Sequence, residues 1–374
     1  MNKTVYADNA ATTALSKTAF EAMLPYLTTE YGNPSSVYSF GQNAKRAIQN
    51  AREKIASAIG ALPEEINFTS GGTEADNWAI KSTAKLDQNT GKHIISSVIE
   101  HHAVLHTLDS LKEQDYEITC LGVDEYGQIS LQELCSAIRK DTVLISIMAA
   151  NNEIGTILPT APIGAIAREH GVIFHTDAVQ AVGHIPINVR VMNIDMLSLA
   201  GHKFRGPKGI GALYVKKGLD LPAIIHGGGQ EHNLRSGTEN VAGIVGLGAA
   251  LEEAASNMKK NMKKVSALRD KLISGVLQIP HVRLTGDPTD RLPGIASFAV
   301  EGVEGESMVI MLDQNGICAS SGSACSSGSQ EASHVLLATG LPSQLAHSSI
   351  RFSLNEDNSE KDVDYILEKL PAII

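Results

Sequence analysis

Apolar residues between Gln42 and Ile59 return every third or fourth position: Ala44, Ala47, Ile48, Ala51, Ile55, Ala58 and Ile59. That period puts them on one face of an α-helix. From there to Val215 helical and extended patterns alternate. Helical spacing predicts Glu74–Lys85, Ala103–Lys112, Leu131–Arg139 and Ile163–His170. Short apolar runs predict strands at His93–Val98, Ile118–Val123, Val143–Met148, Val172–Thr176, Met196–Leu199 and Gly211–Val215. Such alternation builds an open, mostly parallel sheet covered on both faces. Ligands of these sheets bind outside the carboxyl ends of the strands. The first 40 residues read as irregular, with turn chemistry at Asp8-Asn9 and Gly32-Asn33-Pro34.

A long helical stretch, about Val241 to Leu277, has a charged middle from Glu252 to Lys264 that marks a boundary. Beyond it the order reads strand, strand, helix, strand-like, helix, strand, helix. The expectation is a large α/β domain over residues 1–260 and a smaller α+β domain over 261–374. The N-terminal segment is placed so that it can pack on the smaller one.

A chain of 374 residues suits one large domain plus a smaller one. With 43% apolar but only 4% aromatic residues, the core must be aliphatic. A net charge of −10 without a long basic run argues against nucleic acid as a partner. The start has no apolar leader and no stretch reaches membrane-spanning length, so a soluble cytoplasmic protein without a membrane partner is expected. Cys120, Cys135, Cys318 and Cys325 form no CxxC pair, so no metal site or disulfide framework is indicated.

Polar residues cluster just after the apolar runs. Gly201-His202-Lys203 follows Met196–Leu199. A lysine there is either a side chain snorkelling out of a turn or an amine made nucleophilic by desolvation. Phe68–Asn77 (FTSGGTEADN) is a strand end, a glycine turn and a helix start. It is either an ordinary capped helix or a phosphate cradle, and it is neither a P-loop nor a GxGxxG fingerprint. Glu100-His101-His102 and Asn151-Asn152-Glu153 follow two further strands. Structural and capping roles suit them as well as catalytic ones, and consecutive histidines rarely share one metal ion. Asp177 ends an apolar strand, where it either caps the next helix or faces a buried cation, with Gln180 one turn later. Arg235–Asn240 (RSGTEN) is a second glycine- and hydroxyl-bearing loop, read most simply as a solvated loop with a cap. Arg351 lies in a strand and needs an anion, either a structural carboxylate or a ligand. Cys325 lies in a run of small residues, Ser320–Gly328, that leaves its thiol reachable.

In combination the sequence resembles the pyridoxal-phosphate (PLP) cysteine desulfurases of the NifS/IscS type, in the class V aminotransferase superfamily. The motifs are YADNAATT, GNPSS, TSGGTEADN, EHHAV, NNEIGT, HTDAVQ, GHKFRGPKGIGALYV, RSGTEN, SSGSACSSG and SSIRFS. They cover nearly the whole chain in the family's order. The SSGSAC form is similar to that of the first subgroup of the family.

The resemblance implies fold type I and a homodimer. It implies that Lys203 holds PLP as a Schiff base and that Asp177 pairs with the pyridine nitrogen, which makes the ring an electron sink. His101, the histidine directly after the glutamate, stacks on the ring and assists proton transfers. Gln180 and Asn152 bond near the phenolic oxygen. Gly72, Thr73 and His202 hold the phosphate, with Thr238 reaching in from the other subunit. Arg351 grips the substrate carboxylate, with Asn33 nearby, and Cys325 accepts the sulfur. The implied activity converts L-cysteine to L-alanine and passes persulfide sulfur to an acceptor protein, such as an iron–sulfur scaffold. A selenocysteine lyase or another class V enzyme, such as a transaminase, are the alternatives. Three features depart from the family. Ala200 stands where a serine is usual, Glu231-His232-Asn233 replaces Glu-Arg-Gly, and the chain stops soon after its last helix.

Overall fold

The computed structural model describes residues 4–86, 91–322 and 332–374, so Cys325 lies outside the described residues. In chain order the first elements are β1 (Val5–Tyr6), α1 (Lys17–Thr28), α2 (Ser39–Ile59), β2 (Ile66–Thr69), α3 (Gly72–Leu86), β3 (His93–Ser97), α4 (His102–Lys112), β4 (Glu117–Leu121), α5 (Leu131–Ala137), β5 (Thr142–Ser146), α6 (Thr160–His170), β6 (Ile173–Asp177), β7 (Met196–Ala200) and β8 (Gly211–Val215). Then come α7 (Val241–Val276), β9 (Val282–Leu284), β10 (Ile295–Val300), α8 (Gly305–Gln314), β11 (Ile317–Cys318), α9 (His334–Ala338), α10 (Ser343–His347), β12 (Ser349–Ser353) and α11 (Glu360–Lys369).

Seven strands form one sheet in the order β2-β8-β7-β6-β5-β3-β4. From β7 to β4 every pairing is parallel, and β8 runs against both its neighbours. Because β2 is antiparallel to β8, it points the same way as β7. The carboxyl ends of β2, β3, β5, β6 and β7 therefore open on one edge, where the motifs cluster.

Both faces of the sheet are covered by apolar side chains. Ile48, Ile55, Ile163, Leu247 and Leu251 close one face, and Trp78, Val104, Leu108 and Leu111 the other. The single helix α7 joins two cores. Its Leu247 and Leu251 pack against the large sheet, while Leu268, Leu272 and Val276 pack with Phe298 and Phe352 under the antiparallel sheet β12-β10-β9. The expected mostly parallel sheet is present.

The first 40 residues differ from the sequence expectation, because α1 is a regular helix. Ser16 Oγ caps it by accepting from Ala19 N at 3.0 Å. Its apolar pattern is broken by Pro25, and its fit depends on α7: a Cβ on Gly246 would lie 2.5 Å from Met23 Sδ. Ahead of it, β1 pairs in parallel with β11, far away in sequence. Among the described residues no helix is long and apolar enough to cross a membrane.

Candidate active site

A cavity of about 340 Å³ opens at the carboxyl edge of the large sheet. Gly72, Thr73, His101, Asn152, Asp177, Gln180, His202, Lys203 and Arg351 all line it. Nine of the predicted site residues, from six separate stretches of chain, are thus brought together. Asn33 and Thr238 are exposed and are not among its lining residues.

Lys203 ends a tight turn directly after β7. Its carbonyl accepts from His184 Nε2 at 2.9 Å, which holds the backbone. Its Nζ donates to the carbonyls of Ala10 (2.7 Å) and Ala11 (2.9 Å). Gln180 Nε2 donates to the same Ala10 carbonyl at 2.8 Å, and Thr13 Oγ1 donates to the carbonyl of His202 at 2.8 Å. Residues 8–13 therefore form a strap across the lysine.

Asp177 is the last residue of β6 and is 6% exposed. Its Oδ1 accepts from Val179 N at 2.9 Å. Burial raises its proton affinity, opposed by the imidazolium form of His101, the Val179 N–H and the charge of Lys203. A carboxylate so placed calls for a cation. His101 caps α4 through Nδ1, which accepts from Ala103 N at 3.1 Å. That bond leaves the imidazole proton on Nε2. Burial lowers its pKa, so it is neutral near pH 7. Burial lowers His202 further, to about 4.

Arg351 projects from β12 and is 3% exposed. Its Nη1 donates to the carbonyl of Asn152 (2.8 Å) and its Nη2 to Asp8 Oδ1 (2.9 Å). The structural carboxylate considered for this arginine is therefore Asp8. Its Nε has no partner among the described residues, so one donor of the fork is left for another anion.

Four acidic residues matter here that no motif singled out by role. Besides Asp8 these are Asp76, Glu100 and Glu153. Asp76 lines the cavity and is fully buried; its Oδ1 accepts no hydrogen bond among the described residues and lies 3.7 Å from His175 Nε2. Burial first, then the charge of Asp177, raises its pKa well above the carboxylate range. Burial pushes Glu153 up to about 7 and Glu100 up to about 8. All four lie inside recognised motifs, but only the folded surroundings distinguish them.

One departure from the family pattern has a local explanation. Glu231, His232 and Asn233 have φ of 44°, 58° and 67°. Asparagine tolerates this left-handed region best after glycine. Glu231 keeps a buried bidentate pair with Arg52 (2.6 and 2.9 Å). Near Ala200, Arg205 does not turn into the cavity, because it pairs with Glu356 (3.3 Å) and Asp357 (2.9 Å). His102 stacks on His106 at 4.9 Å and lies 4.8 Å from His334. Among the described residues no group of three or more His, Cys, Asp or Glu side chains is arranged to hold a metal ion.

Glu100 supports a prediction about stability. Its Oε1 accepts from Ser97 Oγ (2.5 Å) and Met148 N (3.0 Å), and the side chain is fully buried. The folded state keeps the proton up to about pH 8, while an unfolded chain releases it near 4.5. Between these values folding takes up a proton, so stability falls as pH rises and levels off above pH 8. Glu100→Gln should remove this slope and gain about 3–5 kcal/mol over the parent at pH 8.5. Urea unfolding of both proteins from pH 5 to 8.5 tests it, and parallel curves would refute it.

The aminotransferase class-V family model matches residues 5–366. A cysteine desulfurase IscS of Methanosarcina thermophila is 55% identical, with 100% of this chain and 92% of that protein covered. A solved structure of a NifS-like protein superposes with a TM-score of 0.94 at 38% identity, covering 99% of both chains. Another, solved as SspA in complex with cysteine, gives a TM-score of 0.85 at 38% identity over 94% of this chain and 99% of the other. Matched along almost its whole length and sharing the fold type I architecture, this chain belongs to the class-V aminotransferase family, in its cysteine desulfurase branch.

Proposed function

We propose that the cavity binds PLP and L-cysteine, and that Cys325 takes the substrate sulfur as a persulfide while L-alanine leaves. The observation carrying this reading is the convergence of Lys203, Asp177, His101 and Arg351 on one cavity. The residues suit the cofactor. Asp177 is a buried carboxylate in need of a cation, which a pyridinium nitrogen supplies. Gly72 and Thr73 open α3, whose first N–H groups face outward for a phosphate, with His202 beside them. Bound PLP supplies an electron sink for the charge left when a Cα–H bond breaks.

The chain supplies the rest. Arg351 holds the substrate carboxylate through its unpartnered Nε edge, and the substrate shares the guanidinium with Asp8 or displaces it. Lys203 Nζ removes the Cα proton and later returns one. His101 offers an Nε2 proton at neutral pH. The thiolate of Cys325 attacks the substrate sulfur: the Cβ–S bond breaks, an S–S bond forms, and the carbon gains a proton. A thiolate is needed, so a nearby base or cation must lower that thiol's pKa.

The two-unit division at 260/261 is part of the same proposal, supported by the two cores that α7 joins. So is a cytoplasmic homodimer in which Thr238 serves the partner's cavity. The exposure of Phe20 (49%), Leu27 (60%) and Val37 (93%) supports a covering second copy. An acceptor protein receives the persulfide. The direct test is incubation of the purified protein with L-cysteine. Alanine and protein persulfide should form in equal amounts in the first turnover, and formation of neither would refute the reading.

Ala200 gives a test of cofactor binding. It ends β7, is 1% exposed, and lines the cavity 3.8 Å from where a Cβ on Gly72 would sit. A serine hydroxyl there adds one charge-assisted hydrogen bond to phosphate, worth about 1.5–3 kcal/mol. Ala200→Ser should bind PLP about tenfold or more tightly in a titration of the apoprotein. Unchanged or weaker affinity would refute the missing-contact account.

A further inference from the structure

Arg351 brings one positive charge to the cavity, and a carboxylate of the chain already claims part of it. Its Nη2 donates to Asp8 Oδ1 at 2.9 Å, with the arginine side chain 4% and the aspartate side chain 19% exposed. Among the described residues Asp8 is the one carboxylate bonded to this guanidinium. Glu153, whose buried carboxyl is also acted on by the arginine's charge, faces Ser333 instead. Arg351 lines the cavity and Asp8 does not, so Asp8 meets the guanidinium from outside. The arginine's Nε is left without a partner among the described residues.

The backbone fastens the aspartate there. Ser353, two residues beyond Arg351 on β12, donates from its N–H to the carbonyl of Ala7 at 2.7 Å. Its carbonyl accepts from Asn9 N at 3.1 Å and its Oγ from Ala10 N at 2.8 Å. The chain is thus tied on both sides of Asp8. The arginine does not need Asp8 for its aim. It exchanges two backbone hydrogen bonds with Ser320 (2.7 and 3.1 Å), and its Nη1 donates to the carbonyl of Asn152 at 2.8 Å. What Asp8 adds is charge. It neutralises a buried guanidinium that would be costly to leave unpaired. A second carboxylate, arriving from the cavity side, finds that charge already answered in part and meets a like charge across the guanidinium.

We propose that Asp8 sets how tightly the site holds amino acids: it weakens the grip of Arg351 on the carboxylates of L-cysteine and L-alanine alike, so that the product is released. This rests on Arg351 being the residue that binds the substrate carboxylate. Substrate and product share the α-carboxylate, so the effect falls on both equally. Binding that is equally strong in the ground state and the transition state does not speed the chemical step. Held by an unopposed guanidinium, L-alanine would stay longer and exclude the next L-cysteine.

The experiment titrates the full-length, PLP-loaded protein, followed by its visible absorption, with L-alanine and with ethylamine, which is alanine without its carboxylate. Asp8→Asn keeps an oxygen for Nη2 and removes the charge. It should bind L-alanine about tenfold more tightly than the parent and ethylamine within about twofold of it. The KM for L-cysteine should fall by a factor similar to that for L-alanine, because both carry the same carboxylate. Asp8→Ser, smaller and also uncharged, should shift L-alanine in the same direction and decides the matter if Asp8→Asn does not fold. Unchanged or weaker L-alanine binding would overturn the proposal, as would equal tightening of ethylamine. Failure of both variants to fold would make the pair a structural one and overturn it as well. Arg351→Lys separates this from the underlying reading: it should weaken L-alanine and spare ethylamine, and L-alanine binding that it leaves unchanged would overturn the assignment of Arg351 itself.

Discussion

Cys325→Ala is expected to bind PLP, change its visible absorption on adding L-cysteine, and exchange the substrate Cα hydrogen with solvent, yet make almost no alanine. In the proposed mechanism proton removal uses Lys203, Asp177 and Arg351, which all line the cavity, and precedes the thiol's part. Sulfur transfer needs a nucleophile, and removing one costs a factor on the order of 10³ or more. Cys318→Ala is the control. Cys318 sits half-buried on β11, and burial raises its thiol pKa, which makes it a poor nucleophile. That variant should keep its activity. Alanine release and deuterium incorporation, measured on parent and both variants, separate the steps. Loss of exchange in a Cys325 variant that still binds PLP would mean that the thiol acts before the Cα–H bond breaks.

Lys203→Ala should lose both readouts together. Its amine is the only predicted base for the Cα proton, and general base catalysis alone contributes about 10²–10⁴-fold. In the parent, borohydride should fix the cofactor to Lys203, found by peptide mapping. The geometry separates it from its neighbours in sequence. Lys203 Nζ lies against the Ala10 and Ala11 carbonyls at the cavity, whereas Lys216 pairs with Asp195 at 2.8 Å. A reduced adduct on Lys208 or Lys216 would remove Lys203 from its role. Retained exchange in Lys203→Ala would assign the proton transfer to another group.

Strand and helix alternation was legible because burial on both faces of a sheet imposes runs and periods that survive in one dimension. The ends shifted by a few residues. α5 stops at Ala137 because Ile138 turns to ψ 125°, and α6 starts at Thr160. Helix α1 escaped notice because its buried face is slight, Ala19 alone being fully buried, and its partner α7 lies more than 200 positions away. The candidate lysine, aspartate and histidine stood at or just after strand ends and the arginine inside a strand, and their roles were legible through the resemblance of ten motifs in order.

What the sequence determined by itself was the set of reactive side chains and the sheet edge to which they belong. Folding decided what restrains them. The strap that holds Lys203 acts through the carbonyls of two alanines, which have no side-chain signature at all. Asp8 meets Arg351 across 343 positions, and Ser333 meets Glu153 across 180. Asp76 and Glu100 look like any other acidic residues until burial raises their affinity for protons. Local patterns record which face of an element is apolar. Desolvation and long-range hydrogen bonds arise only when elements distant in sequence close around the same few atoms, so only the tertiary structure could decide them.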